Sequence, residues 1–168
     1  MTIPRQERKS LPRRCFIAGL LATCGGCGIT PTAVRAATTT VIVNDERNGL
    51  AIFGFDAVAY FVDRKAELGR AEFEFRHAGV VWRFRNPGNR AAFAADPDVY
   101  IPRYGGHDAI SVGRGASAPG HPSLWLIAGQ RLYLFHSEAS RAAFADDPYR
   151  AIEAAERHWP AVLRTLVP

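Results

Sequence analysis

His107 and Asp108 follow a tyrosine and two glycines in the stretch YGGHD, residues 104–108. An imidazole beside a carboxylate can hold a transition-metal ion, bind a polar ligand, or move a proton between reacting groups. The glycines allow backbone angles that would present such a pair from a loop. Asp56, in GFDAVAYF at the start of a helical turn, and His136, at the end of an apolar strand, are candidates for the same site. Tyr60, Tyr104, Gly105 and Gly106 would line the cleft around them. Each residue also has an ordinary structural reading. Aspartates cap helix starts, buried tyrosines fill cores, His107 can lie on the surface, and a strand-end His136 can bond a nearby carbonyl. His77, His121 and His158 read as a turn, a rigid-loop and a helix-surface residue. No H-x-H or H-E-x-x-H spacing joins any two histidines. A metal site must therefore be assembled from distant positions, with Asp56, His107, Asp108 and His136 as its ligands. Such N and O donors, without sulfur, select Cu(II), Zn(II) or Ni(II).

Other chemistries find little support. The chain has no G-x-S-x-G, no phosphate-binding loop and no dinucleotide fingerprint. GRGASAPG is glycine-rich but does not join a strand to a helix. Lys65 is the only lysine beyond residue 36, in a polar stretch unsuited to Schiff-base chemistry. A binding module is favoured over a hydrolytic enzyme using His107 and Asp108.

The formal charge of the 168 residues is +5. Six basic residues and one acid before residue 37 account for all of it, so the remainder is neutral and carries no basic stripe for nucleic acid. That first segment reads as an export signal: a basic start, the apolar run CFIAGLLATCGGCGI, and a small-residue cleavage site after Ala36. Arg13-Arg14 with Phe16 resembles a twin-arginine leader. The run is shorter than the roughly 20 residues that span a bilayer. The expectation is a periplasmic protein of residues 37–168 without stable membrane insertion. The alternatives are an uncleaved leader acting as an anchor and lipidation at Cys24, for which LATC is a poor signal. Cys15, Cys24 and Cys27 are the only cysteines. The mature chain would thus lack disulfides and thiolate ligands, and its core of roughly 130 residues would hold by burial alone.

The elements that must position the candidate residues are written twice. RAAFAADP at residues 90–97 returns as RAAFADDP at 141–148, and an offset of 51 aligns WRFRNPGNRAAFAADP with YLFHSEASRAAFADDP without a gap. Each copy begins with alternating apolar residues, two strands of a hairpin about Ala78-Gly79 and about Ala128-Gly129. A helix follows each, capped by Asn86 or Ser137 and stopped by Pro97 or Pro148. Phe93 and Phe144 lie seven residues after the caps, facing their own hairpins. A short strand precedes Asp56. The glycine- and proline-rich stretch between the copies reads as loop, with AISV as a short strand. A last helix follows Pro148 and ends at Pro160. The expectation is one α+β domain made of two hairpin-plus-helix units.

GFDAVAYF, a strand pair ending in WRF, NRAAFAADPDVYIPRYGG, LWLIAGQRLYLF and HSEASRAAF run in this order over residues 54–159. In order and spacing the chain resembles bacterial YHS-domain proteins. The tripeptide that names the domain reads Phe135-His136-Ser137 here. YHS domains are similar to the TRASH group of small metal-associated modules, so the resemblance implies metal binding. Many relatives carry a cysteine after the YGG turn, in the form YGG-aromatic-Cys-Ala, and Asp108 stands at that position. The exchange of a soft ligand for a hard one argues against a thiolate-based role. The leading expectation is an exported YHS-type module binding a transition-metal ion. The alternatives are a metal-free ligand- or protein-interaction module using the YGGHD cleft and, less favoured, a hydrolytic enzyme.

Replacing Arg13 and Arg14 together by lysine should deplete the periplasm of mature protein in cell fractionation. An unchanged periplasmic level would exclude the twin-arginine route.

Overall fold

The computed structural model describes residues 40–166. The segment read as a leader, with its paired arginines, three cysteines and expected cleavage site, lies outside the described residues. The body is mixed helix and strand, and its order repeats. A left-handed turn at Ile52–Gly54 leads through Asp56 into helix α1 (Ala59–Val62), hairpin β1 (Arg70–His77) and β2 (Val80–Phe84), helix α2 (Pro87–Ala95) and the short helix α3 (Pro97–Tyr100). A second left-handed turn within Arg103–Gly106 leads through Asp108 into α4 (Ala109–Gly113), β3 (His121–Ala128), β4 (Arg131–Phe135), α5 (Glu138–Asp146) and α6 (Pro148–Leu163).

The two hairpins are separate antiparallel pairs. Their registers break at matching places, between Arg70 and Glu74 in one and between His121 and Trp125 in the other, again 51 residues apart. Both tight turns hold two residues at positive φ, Ala78-Gly79 and Gly129-Gln130, the pair that a two-residue hairpin with the natural strand twist requires. The second turn thus sits one residue beyond the expected Ala128-Gly129, and the offset of 51 holds through it.

Asn86 and Ser137 cap α2 and α5 as expected, each accepting from the N–H three residues on. Phe93 and Phe144 are both 0% exposed. Phe93 packs on Trp82 and Phe84 with ring centroids 4.8 and 5.0 Å away, and Phe144 packs on Tyr133 and Phe135 at 4.7 and 5.1 Å. The repeat is therefore one packing solution used twice.

Strand β4 joins the two. Leu132 and Leu134 enter the core of the first unit, with Trp82, Phe84 and Phe93. Tyr133 and Phe135 enter the core of the second, with Tyr104, Val112 and Phe144. Successive strand residues point to opposite faces, so four consecutive residues of β4 seal two cores.

Four expectations need correction. AISV is not a strand. It lies in α4, because the Asp108 carboxylate accepts from Ile110 and Ser111 N–H and starts a helix there. Pro160 does not end the last helix. α6 runs on to Leu163 with Pro160 inside it, since Ala155, Trp159 and Val162 continue its packed face and burial outweighs the lost backbone bond. Pro97 and Pro148 do follow the ends of α2 and α5, but each also opens the next helix from its first turn. The stretch before Asp56 makes only isolated bridges, Asn44 to Ala51 among them, rather than a strand. Among the described residues no helix is long and apolar enough to cross a membrane.

Truncation of Phe93 or of Phe144 to alanine should each lower folding stability by about 3–5 kcal/mol in denaturant titration. A loss below about 1 kcal/mol at either position would show that the two phenylalanines are not equivalent anchors.

Candidate functional site

The two aspartates occupy equivalent places, and neither has a free oxygen. Asp56 Oδ1 accepts from Val58 N–H at 2.8 Å and Ala59 N–H at 3.2 Å. Its Oδ2 accepts from Arg85 N–H at 2.8 Å and from the Asn89 amide at 2.7 Å. Asp108 Oδ1 accepts from Ile110 N–H at 2.8 Å and Ser111 N–H at 3.2 Å, and its Oδ2 from His136 N–H at 3.0 Å. One oxygen of each carboxylate thus holds the backbone leading into a helix, as its cap at Asp108 and through the preceding turn at Asp56, and the other holds the residue that follows the hairpin. Both side chains are fully buried, and N–H donors alone satisfy them there. Both are also gripped by their own backbone, Asp56 N–H on Glu67 O and Asp108 N–H on Ala118 O.

The turns ahead of the aspartates match as well. Ile52, Phe53 and Gly54 have φ of 41, 57 and 80°, and Tyr104, Gly105 and Gly106 have φ of 55, 63 and 90°. Residues 41–43 cross the second turn, where Val43 N–H donates to Gly105 O at 2.8 Å. A Cβ on Gly105 would stand 1.8 Å from Val41 O, so only glycine fits. Phe53, at the same place in the first turn, is 41% exposed.

Residues 104–108 are all buried. Tyr104 donates its hydroxyl to Glu156 Oε1 at 3.2 Å, and Glu156 also pairs with Arg103. Burial, and then the Glu156 charge, push the Tyr104 phenol well above its ordinary range. Tyr60 donates to Pro122 O at 2.9 Å and meets Trp125 edge-on at 5.2 Å. Burial and the Asp56 charge raise its phenol likewise. Both tyrosines are core residues.

The histidines separate. His107 is 1% exposed, contrary to its surface reading. Its Nε2 lies 2.8 Å from Thr40 O, which can only accept, so Nε2 carries the proton and Nδ1 the lone pair. Among the described residues Nδ1 is buried without a hydrogen-bond partner. The Ala118 carbonyl lies close enough to favour the charged form slightly, yet it already accepts from Asp108 N–H. His136 is exposed and sets Nδ1 3.1 Å from Pro119 O, the carbonyl-bonded alternative. His77 ends β1 rather than lying in the turn, and His121 opens β3, where Nδ1 accepts from Ser123 N–H. His158 lies on the exposed face of α6. Among the described residues no three side chains of His, Asp or Glu gather as a metal site would need.

Two clefts lie away from these residues. A cleft of about 550 Å³ is bounded by α4, α5 and α6, with Gly113, Ala151, Arg114, Asp146, Asp147 and Arg150 among its lining residues. A second, of about 450 Å³, lies between Phe61, Val99 and the β3–β4 turn. Sequence reasoning missed the first because small residues carry no chemical signal. Extending the repeat through the aspartates, at an offset of 52 there, would have exposed it.

Comparison with family models, with curated proteins and with solved structures gives no match for the chain.

Burial lowers the His107 pKa below its ordinary value. The unfolded chain therefore protonates first as the pH falls. Stability is full above about pH 6.5 and declines below it. His107→Gln should remove this component. The wild-type melting temperature should drop more than that of His107→Gln between about pH 7.5 and pH 5.5, and equal drops would contradict the assignment.

Proposed function

We propose that the protein is a YHS-type binding module that takes a small organic ligand, without a resident metal and without catalysis of its own. One observation carries this reading. Asp56 and Asp108, the carboxylates on which a metal or acid–base site would depend, have both oxygens engaged by N–H donors of their own unit. A metal ion would have to displace bonds that hold each helix start to its hairpin, at the cost of leaving buried donors unpaired. The same bonds hold the carboxylates away from any proton-transfer role. The neutral body of the chain excludes a general attraction to polyanions. The cleft of about 550 Å³ beside α4 falls in the size range of small-molecule sites.

The metal reading keeps one specific support, the Nδ1 of buried His107, which has no partner among the described residues. A neutral imidazole with a free lone pair is the form that ligates a metal.

Calorimetric titration of the purified protein with Cu(II), Zn(II) and Ni(II) separates the two. Wild type and a His107→Gln/His136→Gln double variant should bind each ion equally weakly. One-to-one binding that is lost in the double variant would establish the metal module instead.

A further inference from the structure

Several of the differences between the two units fall around one opening. With the aspartates aligned at offset 52, Gly113 stands where the first unit has Phe61, and Arg114 where it has Val62. At offset 51, Ala151 stands where the first unit has Tyr100, Arg150 where it has Val99, and Asp146 where it has Ala95. The last is the single difference within the repeated octapeptide. In the first unit the Phe61 and Tyr100 rings meet edge-to-face, with centroids 5.5 Å apart and planes at 87°. In the second unit both rings are missing, and Gly113 and Ala151 line the cleft of about 550 Å³. All five of these positions border it.

The divergence thus removes two aromatic rings and adds three charges around one opening. Arg114 and Arg150 are exposed and make no ion pair among the described residues. Asp146 adds an acid beside Asp147, whose Oδ1 already caps α6 by accepting from Arg150 N–H at 3.0 Å. The border is therefore neutral overall but carries both signs. A simple anion would meet the two aspartates and a simple cation the two arginines. A guanidinium pairs best with a carboxylate, and an aspartate with an ammonium group. At Gly113 helix α6 itself closes in, with Ala154 Cβ 3.2 Å from where a Cβ would stand, whereas Ala151 borders the opening with only a methyl group where the sister unit has Tyr100, and a planar ring can lie against it.

We propose that the α4–α5–α6 cleft binds a small molecule with one aromatic ring and a zwitterionic head, the chemistry of a free aromatic amino acid. This rests on the organic-ligand reading above and names the ligand class. The ring lies against Ala151, the carboxylate meets Arg114 and Arg150, and the ammonium group meets Asp146.

The test titrates phenylalanine and tyrosine into the purified protein by ligand-observed NMR and calorimetry, with phenylacetate and phenethylamine as single-charge probes. Ala151→Tyr restores one ring of the sister unit, and Arg114→Val restores its apolar border at an exposed site; circular dichroism checks that both stay folded. The expected result is saturable one-to-one binding of an amino acid, with both single-charge probes roughly tenfold weaker or more. Ala151→Tyr should abolish binding and Arg114→Val should weaken it roughly tenfold. No binding at millimolar amino acid, or binding that neither variant alters, overturns the proposal. The metal titration on the same preparation separates the failures. An inert cleft with no metal bound removes the aromatic ligand alone, whereas an inert cleft with a metal held by His107 removes the organic-ligand reading as well.

Discussion

A carboxylate can stay in a protein interior only where donors surround it, and this fold meets that condition twice in the same way. Asp56 and Asp108 are each ringed by N–H groups from a helix start and from the end of a hairpin. The bonds fix three things together: the left-handed turn before the acid, the helix after it, and the position of the hairpin against both. The rest of each unit is apolar packing laid on that joint, centred on Phe93 or Phe144. Loss of the acid would leave three or four buried donors without partners, each a penalty of about 1–3 kcal/mol. An aspartate is thus stable at a place where a cysteine would be a far weaker acceptor.

Much of the architecture could be read from the chain because it depends on local chemistry. The alternating strands, the Asn86 and Ser137 caps and the paired phenylalanines are each set by a few neighbouring residues, and the doubled octapeptide shows that they recur. The parts that escaped depend on distant partners. AISV is too short for its periodicity to distinguish strand from helix, and the cap on Asp108 decided it. Pro160 is a local stop signal overruled by the packing of Ala155, Trp159 and Val162. The equivalence of the two aspartates was hidden because the offset shifts from 51 to 52 across a connection one residue shorter in the second unit. YGGHD looked like a display loop because glycines suit one. The structure uses the same glycines to let residues 41–43 pass at contact distance and to close the site.

The two units have divided their tasks. The first packs the Phe61 and Tyr100 rings against each other and buries Asn89 against its aspartate. The second has glycine and alanine in place of the rings and extends its last helix over sixteen residues. Well-packed aromatics stabilise, and an opening between helices does not. A duplicated fold can tolerate the looser copy because the tighter one shares a strand with it.

That shared strand has a consequence for how the molecule comes apart. On an ordinary half-buried strand every second position faces water and accepts substitution freely. Leu132, Tyr133, Leu134 and Phe135 leave no such position, so β4 is a run of four residues without mutational slack. Melting of either half strips one wall from the other, which makes the pair a single cooperative unit despite its duplicated origin. Neither half can be lifted out to stand as a miniature of the whole.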